Sequence, residues 1–536
     1  VEILVFIILG CIAVLGVIAK RTRVPYPIVF LAGGIVLALV PGMPTVQLAP
    51  ELVFLVFLPP LIFGDGFVTD WRDFKRYIRP IGFLAIGLVI VTSVTVAFVA
   101  HWLIGVPLAV GFVLGAILSP TDTVATDAIA EETNMPRRIE VILGGESLVN
   151  DATGLVLYKF AVGAVLAGTF SFGLAVAQFA YVAIVGIAVG LLLAEALMRI
   201  SRFLYDHDLT DDTLTTVITL VSPYLIYLVA DRLGASGVLS AAAGGIYLSR
   251  KGGGFFTADS RIIGRGVWNT LFFTFNGALF IILGLQLRTI LHELQIFPAP
   301  TLALYGGVIA LTVIASRLIW VSIIARTRRW FDKSIVEREG PHPPFSWTFV
   351  LGWAGMRGIV SLAAALAIPE NIVSGVPGLA NAPFPARDLI QFITFVTILV
   401  TLIGQGLTLP FFIKRFGVRD ESVSDAQLEL ARLRVTEAGL KRLEQLEASF
   451  VSPAHWEIAG KLRSRYEEQL IHYQAHVDGN TAEGDGLRHE IAKQLIRNVL
   501  AAERSMLVEM RLRGDVSDVN YRRLQYDIDL EESLGG

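Results

Sequence analysis

Leu143-Gly144-Gly145-Glu146-Ser147-Leu148-Val149-Asn150-Asp151-Ala152 decides how this chain is read. It sets Glu146, Asn150 and Asp151 near the middle of an apolar run, about 139 to 167, long enough to cross a bilayer. An acidic group at that depth costs roughly 2.5–3.5 kcal/mol on insertion scales, so such residues face a bundle interior or a wet cavity and bind ions or protons. At about 100° per residue in a helix, Ser147 and Asp151 share one face, while Glu146 and Asn150 share the neighbouring one. Two acids on adjacent faces imply two roles, one open to a cavity and one locked into packing. The competing reading is a pair of protonated or hydrogen-bonded carboxyls that merely hold helices together.

The composition fits that setting. Of 536 residues, 54% are hydrophobic and only 17% charged, where a soluble chain would be about a quarter charged. Mean hydropathy is +0.64. The chain reads as an all-α polytopic membrane protein with about thirteen spans, near 2–19, 26–41, 50–67, 79–104, 107–130, 139–167, 171–200, 212–231, 235–249, 262–287, 300–325, 345–368 and 388–413. The first run, from Ile3, has no basic stretch before it and no small-residue cleavage site after it, and is expected to be a retained helix. The single cysteine, Cys11, excludes an internal disulfide and a cysteine-rich metal site.

Loop charges set the expected orientation. With the N-terminus outside, the inner connections carry Lys20, Arg21, Arg23, Arg72, Lys75, Arg76, Arg79, Arg137, Arg138, Arg199, Arg202, Arg250, Lys251, Arg261 and Arg265. Arg326, Arg328, Arg329, Lys333 and Arg338 follow, and the tail begins Lys414-Arg415. The other side offers Arg232, Arg288 and Arg387, an asymmetry of roughly twenty to three. An odd number of spans then leaves the tail in the cytoplasm.

Thirteen spans allow two six-helix repeats of opposite topology flanking the seventh. Inverted repeats place broken helices at matching positions. The fifth span contains Ser119-Pro120-Thr121-Asp122-Thr123, where the proline removes a backbone donor. The twelfth contains Gly352-Trp353-Ala354-Gly355-Met356-Arg357-Gly358, loosened by three glycines. Opened backbone at that depth is covered by protein or lines a cavity. A transmembrane domain is thus expected at 1–416 and a helical cytoplasmic domain at 417–536, which holds 22 acids and 16 bases. In that tail Leu433, Leu440, Leu443 and Leu446 have helical spacing, Ser452-Pro453 reads as a helix start, 478–486 as a loop, and 488–513 as a helix closed by Gly514. His472 and His476, at i and i+4, have the spacing of metal ligands but no further ligand nearby, and read as a solvated helix face.

Asp151 is the expected carrier. Protons and cations compete for a lone carboxylate in a low-dielectric cavity, and a group that holds one at a time exchanges them. Asp122 and Thr121, freed by the break at Pro120, offer further hard oxygen ligands, and Asp122 also caps the second half-helix. Arg357, in the other break, needs a buried partner, and Glu146 is the expected one, as a structural pair. Arg317, toward the cytoplasmic end of its span, is expected either to snorkel or to brace opened carbonyls. Lys159 lies about 12 Å beyond Asp151 along the helix, too far to pair with it. Asp65, ending Leu58-Pro59-Pro60-Leu61-Ile62-Phe63-Gly64, is a candidate ion ligand or an interfacial charge.

Gly144-Gly145-Glu146-Ser147-Leu148-Val149-Asn150-Asp151, Ser119-Pro120-Thr121-Asp122 and Gly355-Met356-Arg357-Gly358-Ile359-Val360-Ser361-Leu362-Ala363 together resemble the monovalent cation:proton antiporter-1 family, the NhaP-like sodium/proton antiporters. The tail, with Leu512-Arg513-Gly514-Asp515-Val516-Ser517-Asp518 and Asp529-Leu530-Glu531-Glu532, is similar to that of bacterial members. The resemblance implies a homodimer in a cell (inner) membrane, built from a dimerisation domain and a moving six-helix core. It implies exchange of Na⁺, or Li⁺ or K⁺, for H⁺, with those ions as substrates and no cofactor. The pair Asn150-Asp151 implies electroneutral exchange. The ion site maps to Thr121, Asp122, Ser147 and Asp151, with Glu146–Arg357 as the buried pair. Two departures stand out. The family's helix-3 acid would fall at Gly64, one residue before Asp65, a turn of about 100° away. Asp127, Glu131 and Glu132 add acids at the end of span 5, as an ion funnel, a pH-sensing cluster or a solvated helix end.

Other functions fit less well. A cation channel needs a continuous polar pore or filter loop. An intramembrane aspartyl protease, with Asp65 in Gly64-Asp65-Gly66, leaves Arg357 and the breaks unexplained. No G-x-x-x-x-G-K-[ST] signature for a nucleotide-driven pump occurs, and no nucleic-acid partner is expected.

Overall fold

The structure, a computed structural model, describes residues 2–41, 49–133, 135–167, 172–252, 258–293, 298–331, 344–372, 382–418, 424–447, 453–477, 485–513, 515, 520, 524, 525 and 528. Lys333, Arg338, the loop at 478–484 and the tail stretches 516–519 and 529–532 lie outside these. Two compact units are present, Val1–Asp420 and Glu421–Gly536.

The first unit is helical apart from a two-residue antiparallel pairing of β1 (Asn371–Ile372) with β2 (Ala382–Pro383). Among the described residues, nine helices are long and apolar enough to cross a membrane. They are α1 (Glu2–Thr22), α3 (Pro50–Val68), α5 (Ile78–Ile104), α8 (Arg137–Ala167), α9 (Phe172–Asp206), α10 (Asp212–Arg232), α12 (Ala258–Glu293), α13 (Ala299–Phe331) and α16 (Arg387–Arg415). Shorter helices lie between them: α2 (Tyr26–Ala38), α4 (Trp71–Arg76), α6 (Leu108–Leu118), α7 (Val124–Thr133), α11 (Gly237–Gly252), α14 (Phe345–Trp353) and α15 (Ile359–Leu366). This is an all-α polytopic membrane protein. The surface makes the same point, since α9, whose most apolar stretch has a mean hydropathy of 2.3, exposes Ile184, Leu192, Ile200 and Phe203. Such a surface is stable against lipid or protein and not against water.

Buried small residues bring these helices together. A Cβ on Gly34 of α2 would lie 2.2 Å from the Ile281 carbonyl of α12, and one on Gly284 of α12 would lie 2.5 Å from the Leu31 carbonyl. The two backbones touch, as membrane helices do where dispersion drives packing. Three long helices widen locally into π-turns: α3 at Val53–Phe57, α5 at Phe83–Leu88 and α16 at Val400–Gln405. The first lies just ahead of Pro59 and Pro60, which cannot donate to the helical ladder. Carbonyls in the first two turns are taken up by side chains, Val56 by the Tyr224 hydroxyl at 3.0 Å and Phe83 by the Trp320 indole N–H at 3.0 Å. Buried polar backbone is thereby satisfied where the helix itself no longer does so.

The second unit holds α17 (Ser424–Glu447), α18 (Pro453–Val477) and α19 (Asp485–Arg513). Arg463 pairs with Glu447, Tyr466 covers Gly439, and Arg432 sits 5.9 Å from the Tyr473 ring. Those pairings run in opposite chain directions, so α17 and α18 form an antiparallel hairpin. Leu433 and Ala459 are buried, whereas Leu446, at the expected helical spacing, is exposed.

Candidate ion-binding site

The site is built where two helices come apart. Between α6 and α7 the chain is non-helical over 119–123, and between α14 and α15 over 354–358. The two breaks touch, with the Asp122 N–H donating to the Met356 carbonyl at 2.8 Å. Two helix C-termini and two N-termini therefore meet inside the protein, each with unmet backbone groups and a partial charge of about half a unit.

Side chains of opposite charge answer those ends. The Asp122 carboxylate accepts from the Val124 N–H at 2.9 Å and faces the Ile359 N–H, so one acid serves the amino ends of both α7 and α15. Arg357, fully buried, donates from Nε to the Leu118 carbonyl at 3.1 Å and from Nη1 to the Gly355 carbonyl, while its own N–H reaches Thr401 Oγ1 at 3.1 Å in the π-turn of α16. Arg317 Nη2 reaches the Leu351 carbonyl in the last turns of α14 at 3.2 Å.

The expected pair Glu146–Arg357 does not form. Glu146 is held by Arg317, through Nη1 to Oε1 and Nη2 to Oε2, the latter at 2.8 Å. Both side chains are essentially inaccessible. Arg357 instead turns Nε and Nη1 to the carbonyls opened by the breaks, and its Nη2 is without a partner among the described residues. Arg317, on α13, does not snorkel: it is fully buried and, beside pairing with Glu146, braces the Leu351 carbonyl near the second break, the other role expected of it. Glu146 also accepts from Thr121 Oγ1 at 3.2 Å, and that hydroxyl accepts from Asn150 Nδ2 at 2.7 Å. Ser147 Oγ donates to the Thr121 carbonyl at 3.0 Å. Thus α8 clamps the first break through Glu146, Ser147 and Asn150.

The glycines in the second break are required sterically. A Cβ on Gly355 would strike Arg317 Cδ at 2.2 Å and Arg357 Nη1 at 2.9 Å, and one on Gly358 would lie 1.6 Å from Asp122 Oδ2. Gly358→Ala is therefore expected to displace Asp122 from both helix ends. Overpacking of this kind costs about 1–3 kcal/mol, and more where the neighbour cannot move. Melting temperature and exchange rate should both fall, and an unchanged rate would show that the Asp122 position is immaterial.

Asp151 sits differently. Among the described residues it has neither an ion pair nor a hydrogen bond, and it lines a cavity of about 210 Å³ together with Asp65, Thr121, Asp122, Ser147 and Asn276. Asp127 and Glu131 of α7, both exposed, line the same cavity toward the end of that half-helix. Gly64, in the family's acid position, is covered by the Phe272 ring of α12, where a Cβ would meet Cζ at 1.9 Å. Asp65 nonetheless reaches the cavity from the next position. Asn150 points away from it, into the network around Thr121. Lys159 lines a second cavity, of about 980 Å³, with Glu51, Ala152, Leu155 and Asp231. Sequence reasoning overlooked Arg317 as the partner of Glu146, although an arginine flanked by long apolar runs on α13 signals a buried acid. It also gave no role to Asn276, a single neutral residue in an apolar helix, or to Ser361, which it carried only as part of the motif around Arg357.

Residues 5–415 match the transmembrane region of the sodium/hydrogen exchanger family. The chain belongs to the sodium/hydrogen exchanger family. As an exchanger it is a transporter and not an enzyme, and the channel and protease readings are not favoured. The exchanger is similar to a sodium, potassium, lithium and rubidium/H⁺ antiporter of Bacillus pumilus, 32% identical over 82% of this chain and 65% of that protein. It is also similar to the uncharacterised Na⁺/H⁺ exchanger YjcE of Escherichia coli, 32% identical over 96% of this chain and 94% of that one. The chain thus spans just under two thirds of the Bacillus pumilus relative and nearly all of YjcE. Among solved structures, the exchanger shares its fold with the sodium proton antiporter MjNhaP1 of Methanocaldococcus jannaschii, with a TM-score of 0.58 and 20% identity over 77% of this chain and 97% of that one.

Proposed function

We propose that the exchanger moves one Na⁺, or another monovalent cation such as Li⁺ or K⁺, against one H⁺, with both competing for Asp151. The observation that carries this reading is the contrast between two acids little more than one turn apart on α8. Glu146 is neutralised by Arg317, whereas Asp151 faces a cavity and has no partner among the described residues. A proton or a cation on Asp151 gives a neutral load in either case. Position 150 adds no second charge, because Asn150 is an amide turned into the Thr121 network. Asp122, Thr121 and Ser147 complete the proposed ion site, with Asp65 as an approach acid. Names of relatives that list potassium and lithium beside sodium support testing all three cations.

The proposed topology has thirteen passes, with α6/α7 as the fifth and α14/α15 as the twelfth, and two inverted repeats flanking α9. The N-terminus lies outside a cell membrane and the acidic tail in the cytoplasm, as the basic loops favour. The 210 Å³ cavity then opens inward past Asp127 and Glu131, and the 980 Å³ cavity on the far side of α8 is the outer vestibule. Alternating access carries Asp151 from one to the other. The exposed apolar face of α9 is where a second copy would pack.

The test is transport in proteoliposomes at clamped membrane potentials, with each cation in turn. A cycle that moves no net charge does no work against the potential, which otherwise contributes about 2.3 kcal/mol per charge per 100 mV. Initial rates and end points are expected to be independent of the clamp. A reproducible voltage dependence would overturn the one-to-one scheme and mark Asp122 or Asp65 as carrying a second proton.

A further inference from the structure

Two residues that line the 210 Å³ cavity carry polar atoms that take no part in the network that holds the breaks together. Asn276 lies on α12 and is 6% exposed, and its Oδ1 has no hydrogen-bond partner among the described residues. Ser361, in the first turn of α15, is 1% exposed, and its Oγ is likewise without a partner. Both line the cavity that holds Asp151. Leaving a buried polar group unpaired costs about 1–3 kcal/mol, so such groups call for an unseen water or ion. The cavity has room for several waters at about 30 Å³ each.

We propose that Asn276 Oδ1 and Ser361 Oγ are neutral oxygen ligands of the transported cation and set its preference among Li⁺, Na⁺ and K⁺. This rests on the reading of Asp151 as the shared site. The chemistry follows from what the remaining groups can offer. Thr121 Oγ1 gives its hydrogen to Glu146 and one lone pair to Asn150, Ser147 gives its hydrogen to the Thr121 carbonyl, and one Asp122 oxygen holds the Val124 N–H, so each of these brings only its remaining lone pairs to a cation. A hard cation leaving water needs several oxygen ligands, and Asn276 Oδ1 and Ser361 Oγ belong to cavity-lining residues and hold no hydrogen bond among the described residues. The carboxylate of Asp151 provides the charge that a proton can replace. Neutral amide and hydroxyl dipoles provide ligands that a proton on Asp151 does not remove, and their number and field strength discriminate between alkali cations. The two come from different elements, α12 and α15, so the site they complete depends on how those helices stand relative to α8.

The test is cation-driven proton flux in proteoliposomes for Asn276→Leu and Ser361→Ala, measured against Li⁺, Na⁺ and K⁺ with Asp151→Asn beside them. Loss of one ligand is expected to raise the KM for Na⁺ about tenfold, the equivalent of one hydrogen bond to a charge. The order or ratio of the three cations should change, while the dependence of flux on internal pH keeps its shape. Where Asn276→Leu does not fold, Asn276→Gln carries the same test, because it keeps the amide but moves its oxygen by one methylene. Ser361→Thr, which retains the hydroxyl, should keep the native preference. An equal change for all three cations, or none for any, overturns the assignment and leaves these atoms to water or packing. If Asp151→Asn itself still exchanges, the underlying site is wrong, and that outcome is distinct from failure of the two ligands.

Discussion

Replacing Arg317 with Met is expected to destabilise the exchanger by about 3–5 kcal/mol, the cost of leaving a buried carboxylate without its cation. Glu146→Gln removes the other half of the pair and strands a guanidinium, so its loss should be of similar size. The double variant, neutral at both positions, should recover part of that loss, because methionine fills the guanidinium's place without needing a counter-charge. Thermal unfolding in detergent reads all three. A coupling of about 0.5–3 kcal/mol is expected between positions 146 and 317. The same cycle between 146 and 357 should come out closer to additive, since Arg357 is anchored on the Leu118 and Gly355 carbonyls. Strong coupling of 146 to 357 with none to 317 would reverse the assignment.

Asp151→Asn should do the opposite, ending transport without unfolding the protein. The substitution keeps the volume and removes the charge. Among the described residues nothing pairs with that carboxylate, so no partner is stranded in the interior. Melting temperature is expected to stay close to that of the parent, and cation-driven proton flux to fall to the level of empty liposomes. Retained flux, or a collapse of the fold, would show that Asp151 is a structural acid after all. The two acids of α8 lie little more than one helical turn apart, and their variants should fail in opposite ways.

Much of this architecture was legible because membranes punish exceptions. Apolar runs located α1, α3, α5 and the other long helices, since no other element satisfies its own backbone in lipid. Pro120 and the glycines at 352, 355 and 358 located both breaks for the same reason. That Glu146 is packed against a partner while Asp151 lines a cavity followed from helical geometry, which places them on neighbouring faces. What geometry along one helix does not contain is the partner from another. Arg317 and Arg357 were both cations in apolar spans, and their sequence positions say nothing about which would reach Glu146. The choice is made by the carbonyls that the breaks leave open, and these compete for the same donors. Asp65 is a similar case. A shift of one residue from Gly64 turns its side chain by about 100°, yet it still reaches the cavity, because the Phe272 ring occupies the space beside Gly64.

The central claim, that a cation and a proton compete for Asp151, is tested most directly by counting protons released on binding. Purified exchanger in weakly buffered detergent, at a pH where the site is protonated, is titrated with Na⁺ while a pH indicator is followed. A ligand that must be deprotonated before it binds a metal gives up its proton as the metal arrives. The expected result is about one proton released per Na⁺ bound, with none released by Asp151→Asn. Sodium binding without proton release, or equal release from Asp151→Asn, would contradict the account.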